Sequence, residues 1–143
     1  MKKTIFLDVI LVLFAVLFVY AAVSKLIAYD EFKAQISKSP LIMHHEWWIA
    51  WAIPGLEVVI SVMLFVPRLQ LAGLYSSFTL MFIFTIYITF MLAFTPNLPC
   101  SCGGILNKLG WTEHLFFNIG FTLLAALGVV IHGRQANVPI PAV

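Results

Sequence analysis

The sequence predicts an all-α integral membrane protein, a four-helix transmembrane bundle with both termini on the same side. Three observations carry this. Of the 143 residues, 62% are hydrophobic and 10% charged, whereas soluble domains hold roughly 45–50% apolar and about 25% charged residues. Eight basic and six acidic side chains cannot solvate a globular surface of this size, and the mean hydropathy is +1.03. The apolar residues are also gathered into four runs, each near the roughly 20 residues that a membrane helix needs. Between the runs stand the Pro, Gly and charged residues that end helices. The four spans nearly exhaust the length, so residues 1–143 are read as one membrane domain. The net charge of +2 is dispersed and forms no basic cluster, which argues against a nucleic-acid partner.

The first span is expected over about residues 4–25, where Lys2 and Lys3 precede an apolar run broken only by Asp8. The competing reading is a cleaved leader, but its apolar core is about 7–15 residues and this run is longer. Asp8 is expected to favour the dipole at the helix start. Residues 26–46 hold Asp30, Glu31, Lys33, Lys38 and His44-His45 and read as a polar, partly helical connection. The second span covers about 47–66 and carries Glu57, with Pro54 one turn earlier; Pro54 withholds a backbone donor and loosens the helix before it. The third span, 69–94, has no charge and ends at Thr95-Pro96. A loop over 95–111 holds both cysteines, and the fourth span follows over about 112–132. Only helices satisfy their own backbone in hydrocarbon at these lengths. Gly73, Ser76-Ser77, Ala125-Ala126 and Gly128 suit close helix contacts.

Four spans put the 26–46 connection and the cysteine loop on one membrane face. Trp47, Trp48, Trp51 and Trp111 fall on that face, as an interfacial aromatic belt would. Lys2, Lys3, Arg68 and Arg134 lie on the opposite face, balanced by Lys25, Lys33, Lys38 and Lys108 on the cysteine face. The charge rule therefore does not set orientation, and the preference of disulfides for oxidising compartments directs the cysteine loop outward.

Cys100 and Cys102 are the chain's two cysteines, separated by Ser101 and followed by Gly103-Gly104. A one-residue spacer closes a small, strained disulfide ring. Strain raises the reduction potential and suits a bond passed on by exchange more than a structural one. The glycines permit positive φ beside the sulfurs. A soft-metal pair and a structural or incidental pair remain alternatives, although two thiolates make an incomplete metal site. No metal site is expected.

Glu57 is the second candidate, since a carboxylate in a span marks a functional site by default; a protonated Glu bonded to a neighbouring helix is the alternative. His114 and Asn118 stand one turn apart on one helix face. His114 titrates near neutrality and suits proton movement during thiol or quinone chemistry, or simple capping at the interface. His44-His45 are expected to be solvated, and Lys25 to snorkel to the surface.

Ser24-Lys25-Leu26, Pro54-Gly55-Leu56-Glu57, Pro99-Cys100-Ser101-Cys102-Gly103-Gly104, His114 and Phe117-Asn118 resemble the MauE branch of the DoxX-like membrane proteins. The resemblance extends from the first span to about Ile131 and is most specific at the cysteine loop. It implies a four-helix redox-associated membrane protein that acts with a thioredoxin-like partner in maturing the disulfide-rich small subunit of methylamine dehydrogenase.

Two functions follow as expectations. In the first, Cys100 and Cys102 exchange disulfides with a thioredoxin-like protein or a client outside the cytoplasm of a bacterium. Electrons then pass to a membrane acceptor such as a quinone, with Glu57, His114 and Asn118 in support. Electron relays of this kind usually use two cysteine pairs, and this chain has one, so the partner supplies the other. The second function is a non-catalytic assembly or anchoring subunit of the inner membrane, its CxC pair incidental or metal-binding.

Overall fold

The computed structural model describes residues 2–39, 42, 44–94 and 110–137. It contains five helices: α1 (Lys2–Ile27), α2 (Tyr29–Ser37), α3 (Glu46–Phe65), α4 (Gln70–Phe94) and α5 (Trp111–Ala136). All but α2 are long and apolar enough to cross a membrane. This is the expected all-α membrane bundle, with each span starting or ending within a few residues of its predicted limit. Cys100 and Cys102 lie outside the described residues.

The core forms because Leu and Phe recur on one stripe of α1 while Val occupies the other. Leu7, Ile10, Leu11, Phe14, Ala15, Phe18 and Ala22 are buried, a spacing of three and four residues that keeps them on one helix face. Val9, Val12, Val16, Val19 and Val23 are exposed on the other side. A helix apolar all round belongs in lipid. The remaining spans agree: Val59 and Val62 of α3, Ile86 of α4, and Leu123 and Leu127 of α5 also face outward.

α1 packs chiefly on α3, and α4 on α5. The Ser61 hydroxyl donates to the Ala15 carbonyl at 3.0 Å, a bond between helices that also satisfies a polar group in an apolar setting. Thr85 and Thr122 face each other at 3.4 Å across α4 and α5. Phe14 meets Phe121 edge to face, with ring centroids 5.4 Å apart. At one end of the bundle Ile10, Leu74 and Gly128 come together, and Lys25 and Glu57 meet nearer the other. The helices are therefore antiparallel neighbours in chain order, and the start of α1 and the end of α5 share one end of the bundle.

Small residues make these approaches possible. A Cβ at Gly128 would lie 3.0 Å from Leu74 Cδ2 and 3.2 Å from Ile10 Cγ2. Gly128→Leu must separate α1, α4 and α5, and overpacking of this kind costs about 1–3 kcal/mol or more. The expected result is a lower midpoint of thermal unfolding in detergent. Gly120→Leu, where a side chain enters open space, is expected to leave the midpoint unchanged.

Two local expectations need correction. Helix α1 begins at Lys2, and its first turn contains no acidic residue. Asp8 lies nearly two turns in, and the dipole acts within the first turn, so it does not stabilise the helix start. The Trp belt is also incomplete: Trp47, Trp48 and Trp51 are exposed, but Trp111 is half-buried. Trp51 packs against Tyr29, with centroids 5.3 Å apart, which ties α2 to the first half of α3. In α2, Asp30 and Glu31 occupy the first turn and complement its dipole, while Phe32, Gln35 and Ile36 point to the bundle.

Candidate functional site

Glu57 is buried because of its register. Ala50, Pro54, Glu57, Ile60, Ser61 and Leu64 form the inward stripe of α3, at helical spacing. Pro54 offers no N–H to the Ala50 carbonyl, and both residues are buried beside the site. The α1 stripe continues from Phe18 through Ala22 to Lys25, which turns Lys25 inward as well. Its ammonium donates to Glu57 Oε1 at 2.8 Å, with the side chains 20% and 1% exposed. Lys25 therefore does not snorkel to the surface. It also lies 3.5 Å from the Ala21 carbonyl and 5.8 Å from the centroid of Phe32, within cation–π range. Glu57 is thus bonded to a cation.

The pair is only half satisfied. Glu57 Oε2 is buried without a hydrogen-bond partner among the described residues, and so is Trp111 Nε1. Leaving a buried polar group unpaired costs about 1–3 kcal/mol, more when it is charged. Both atoms belong to residues that line a cavity of about 360 Å3.

All five helices contribute to this cavity. Leu17, Phe18, Ala21 and Lys25 come from α1, and Phe32, Gln35 and Ile36 from α2. Ile49, Ile53 and Glu57 of α3 form another wall, and Met81, Phe84, Tyr87, Ile88 and Met91 of α4 face them. Helix α5 adds Trp111, His114, Phe117 and Asn118. Most of the lining is apolar, and its polar members include Lys25, Lys38, Glu57, His114 and Asn118. His114 lines the same cavity as Lys25 and Glu57.

Three of the residues singled out in the sequence, Glu57, His114 and Asn118, thus meet at one cavity. The Asn118 amide donates to the His114 carbonyl at 2.9 Å, and Thr122 donates to the Asn118 carbonyl at 2.7 Å. This chain of bonds along α5 holds the helix face that presents His114. His44 and His45 are exposed and take no part in the lining. No group of three or more metal-ligating side chains occurs among the described residues.

Sequence reasoning missed Lys25, Trp111 and the α2 contribution. For Lys25 the one signal was indirect: a carboxylate inside a span calls for a cation, but both faces of α1 are apolar and do not show which turns inward. For Trp111 none existed, since interfacial and cavity-lining tryptophans look alike in sequence.

No curated protein and no solved structure matches the chain. A family model described as methylamine utilisation protein MauE matches residues 3–131, which takes in four spans, the cysteine segment and every residue of the cavity. By that match the chain belongs to the MauE family of membrane proteins.

Proposed function

We propose that the protein is a membrane thiol-disulfide redox protein that assists maturation of extracytoplasmic proteins together with a thioredoxin-like partner, with methylamine utilisation as the family's context. The observation that carries this reading is the position of the CxC pair in the chain. Cys100 and Cys102 lie in the segment that joins α4 to α5, and the residues near its two ends, Met91 and Trp111, both line the cavity. Cys100 follows Phe94 by six positions, a chain length that reaches at most about 20 Å.

In the forward direction a partner dithiol attacks the Cys100–Cys102 disulfide through a mixed disulfide. The partner leaves oxidised, and this chain is left with two thiols. Two electrons and two protons must then depart as the S–S bond re-forms. Glu57 and His114 are placed at the cavity as groups that accept and release protons, and Lys25 holds the Glu57 carboxylate in position.

Thiol trapping on intact cells tests the reading. In the wild-type chain a fraction of Cys100 and Cys102 is expected to resist alkylation until a reductant is added. A pair that stays wholly reduced, with and without an added oxidant, would remove thiol exchange and leave the anchoring role. A maleimide that cannot cross membranes is expected to label the reduced pair without permeabilisation, as an outward-facing loop requires. The same cells, fractionated, are expected to hold the chain in the inner membrane.

A further inference from the structure

We propose that the cavity beside the Lys25–Glu57 pair binds the ring of a membrane quinone and its quinol. Size, lining and unpaired atoms lead to this chemistry. A volume of about 360 Å3 lies in the range of small-molecule sites, about 300–1,000 Å3. The walls are mostly aliphatic and aromatic, among them Phe18, Ile36, Phe84 and Ile88, which favours an apolar body over a water cluster. On the lining residues one buried acceptor, Glu57 Oε2, and one buried donor, Trp111 Nε1, are left without partners among the described residues.

A ligand that fits must therefore offer both an O–H and an oxygen lone pair on a largely apolar body. Lys38 also lines the cavity, so the O–H is the selective feature: Glu57 Oε2 is an acceptor, and a deprotonated acid has no proton to give it. A quinol donates an O–H to Glu57 Oε2, and a quinol oxygen accepts from Trp111 Nε1. A quinone carbonyl accepts from Trp111. An anionic lipid or fatty acid would instead press its charge against the unpaired Glu57 oxygen.

The redox half of the inference rests on the proposed thiol cycle; the binding half does not. When Cys100 and Cys102 form their S–S bond, two S–H bonds break. The two electrons and two protons pass to the quinone, whose two carbonyl oxygens become the hydroxyls of the quinol. Glu57, protonated by a proton released from the thiols, hands it on to the nearer oxygen.

The test is photolabelling of the purified full-length protein in lipid nanodiscs with an azido-benzoquinone carrying a short alkyl tail. Labelling is expected on peptides of α4 and α5 that line the cavity. Excess unlabelled short-chain benzoquinone is expected to suppress it, and an alkanol of equal tail length is not. Trp111→Phe is expected to weaken binding about tenfold, the factor that one lost hydrogen bond is worth. Ala21→Phe places a ring inside the cavity, and at least a tenfold loss is expected from it. Cys100→Ser/Cys102→Ser is expected to bind normally and to form no quinol. Labelling that excess quinone does not suppress, or that Ala21→Phe leaves unchanged, would overturn the quinone site. Suppressible, Ala21→Phe-sensitive labelling in a protein whose cysteines never oxidise would uphold the site and remove the thiol cycle.

Discussion

Lys25→Met is expected to be the most destabilising single substitution in the bundle. It leaves the Glu57 carboxylate, 1% exposed, without the ammonium that now lies 2.8 Å away. Removing one partner of a buried ion pair costs about 3–5 kcal/mol. For a chain of this size that corresponds to a drop of roughly 10 °C or more in the unfolding midpoint. The double variant Lys25→Met/Glu57→Met removes both charges, and apolar replacements of whole buried pairs are often neutral or stabilising. It is expected to recover the wild-type midpoint in detergent, measured by scanning fluorimetry. Redox activity is not expected to recover, because the carboxylate that faces the cavity is gone. Parallel loss of stability in the single and double variants would show that the pair is not coupled as its geometry implies.

The largest effect on activity is expected from the cysteines. Cys100→Ser and Cys102→Ser, made singly, are each expected to abolish disulfide formation in the client. One of the two is expected to hold a partner in a mixed disulfide, since a thiolate that has attacked cannot be released without its neighbour. The trapped species is read as a reductant-sensitive band of higher mass on a non-reducing gel. The folding midpoint of both variants is expected to match the wild type. If both variants support client maturation at the wild-type level, the cysteines do not carry the chemistry.

Much of this architecture is legible in the sequence because hydrocarbon leaves few choices. Runs of about 20 apolar residues must be helices, and the breaks at Pro67-Arg68 and Thr95-Pro96 set their ends. Glu57 stood out because a carboxylate inside a span is costly, and His114 and Asn118 because a spacing of four puts them on one face. What was not legible is which face of each helix turns inward. In α1 both faces are apolar, so the sequence did not distinguish the buried Phe14 and Phe18 from the exposed Val16 and Val19. That ambiguity concealed Lys25. Its place near the end of a span fits snorkelling as well as inward pairing, and only the packing of α1 on α3 decides between them. Trp111 was hidden for a related reason: a tryptophan at a helix start suits the interface, and its place in the cavity lining depends on how the helices pack. The short helix α2 lies in a polar connection whose charges mask the Phe32–Ile36 face.

The central claim is that Cys100 and Cys102 form a disulfide made for exchange, and its reduction potential tests this most directly. The purified full-length protein is equilibrated in nanodiscs with glutathione buffers of graded ratio, and the dithiol and disulfide forms are quantified by alkylation and mass spectrometry. The predicted result is one intramolecular disulfide per chain with a potential well above about −300 mV, the level below which structural disulfides resist reduction by glutathione. A pair that forms no intramolecular disulfide at any ratio, or one whose potential falls below that level, would contradict the account.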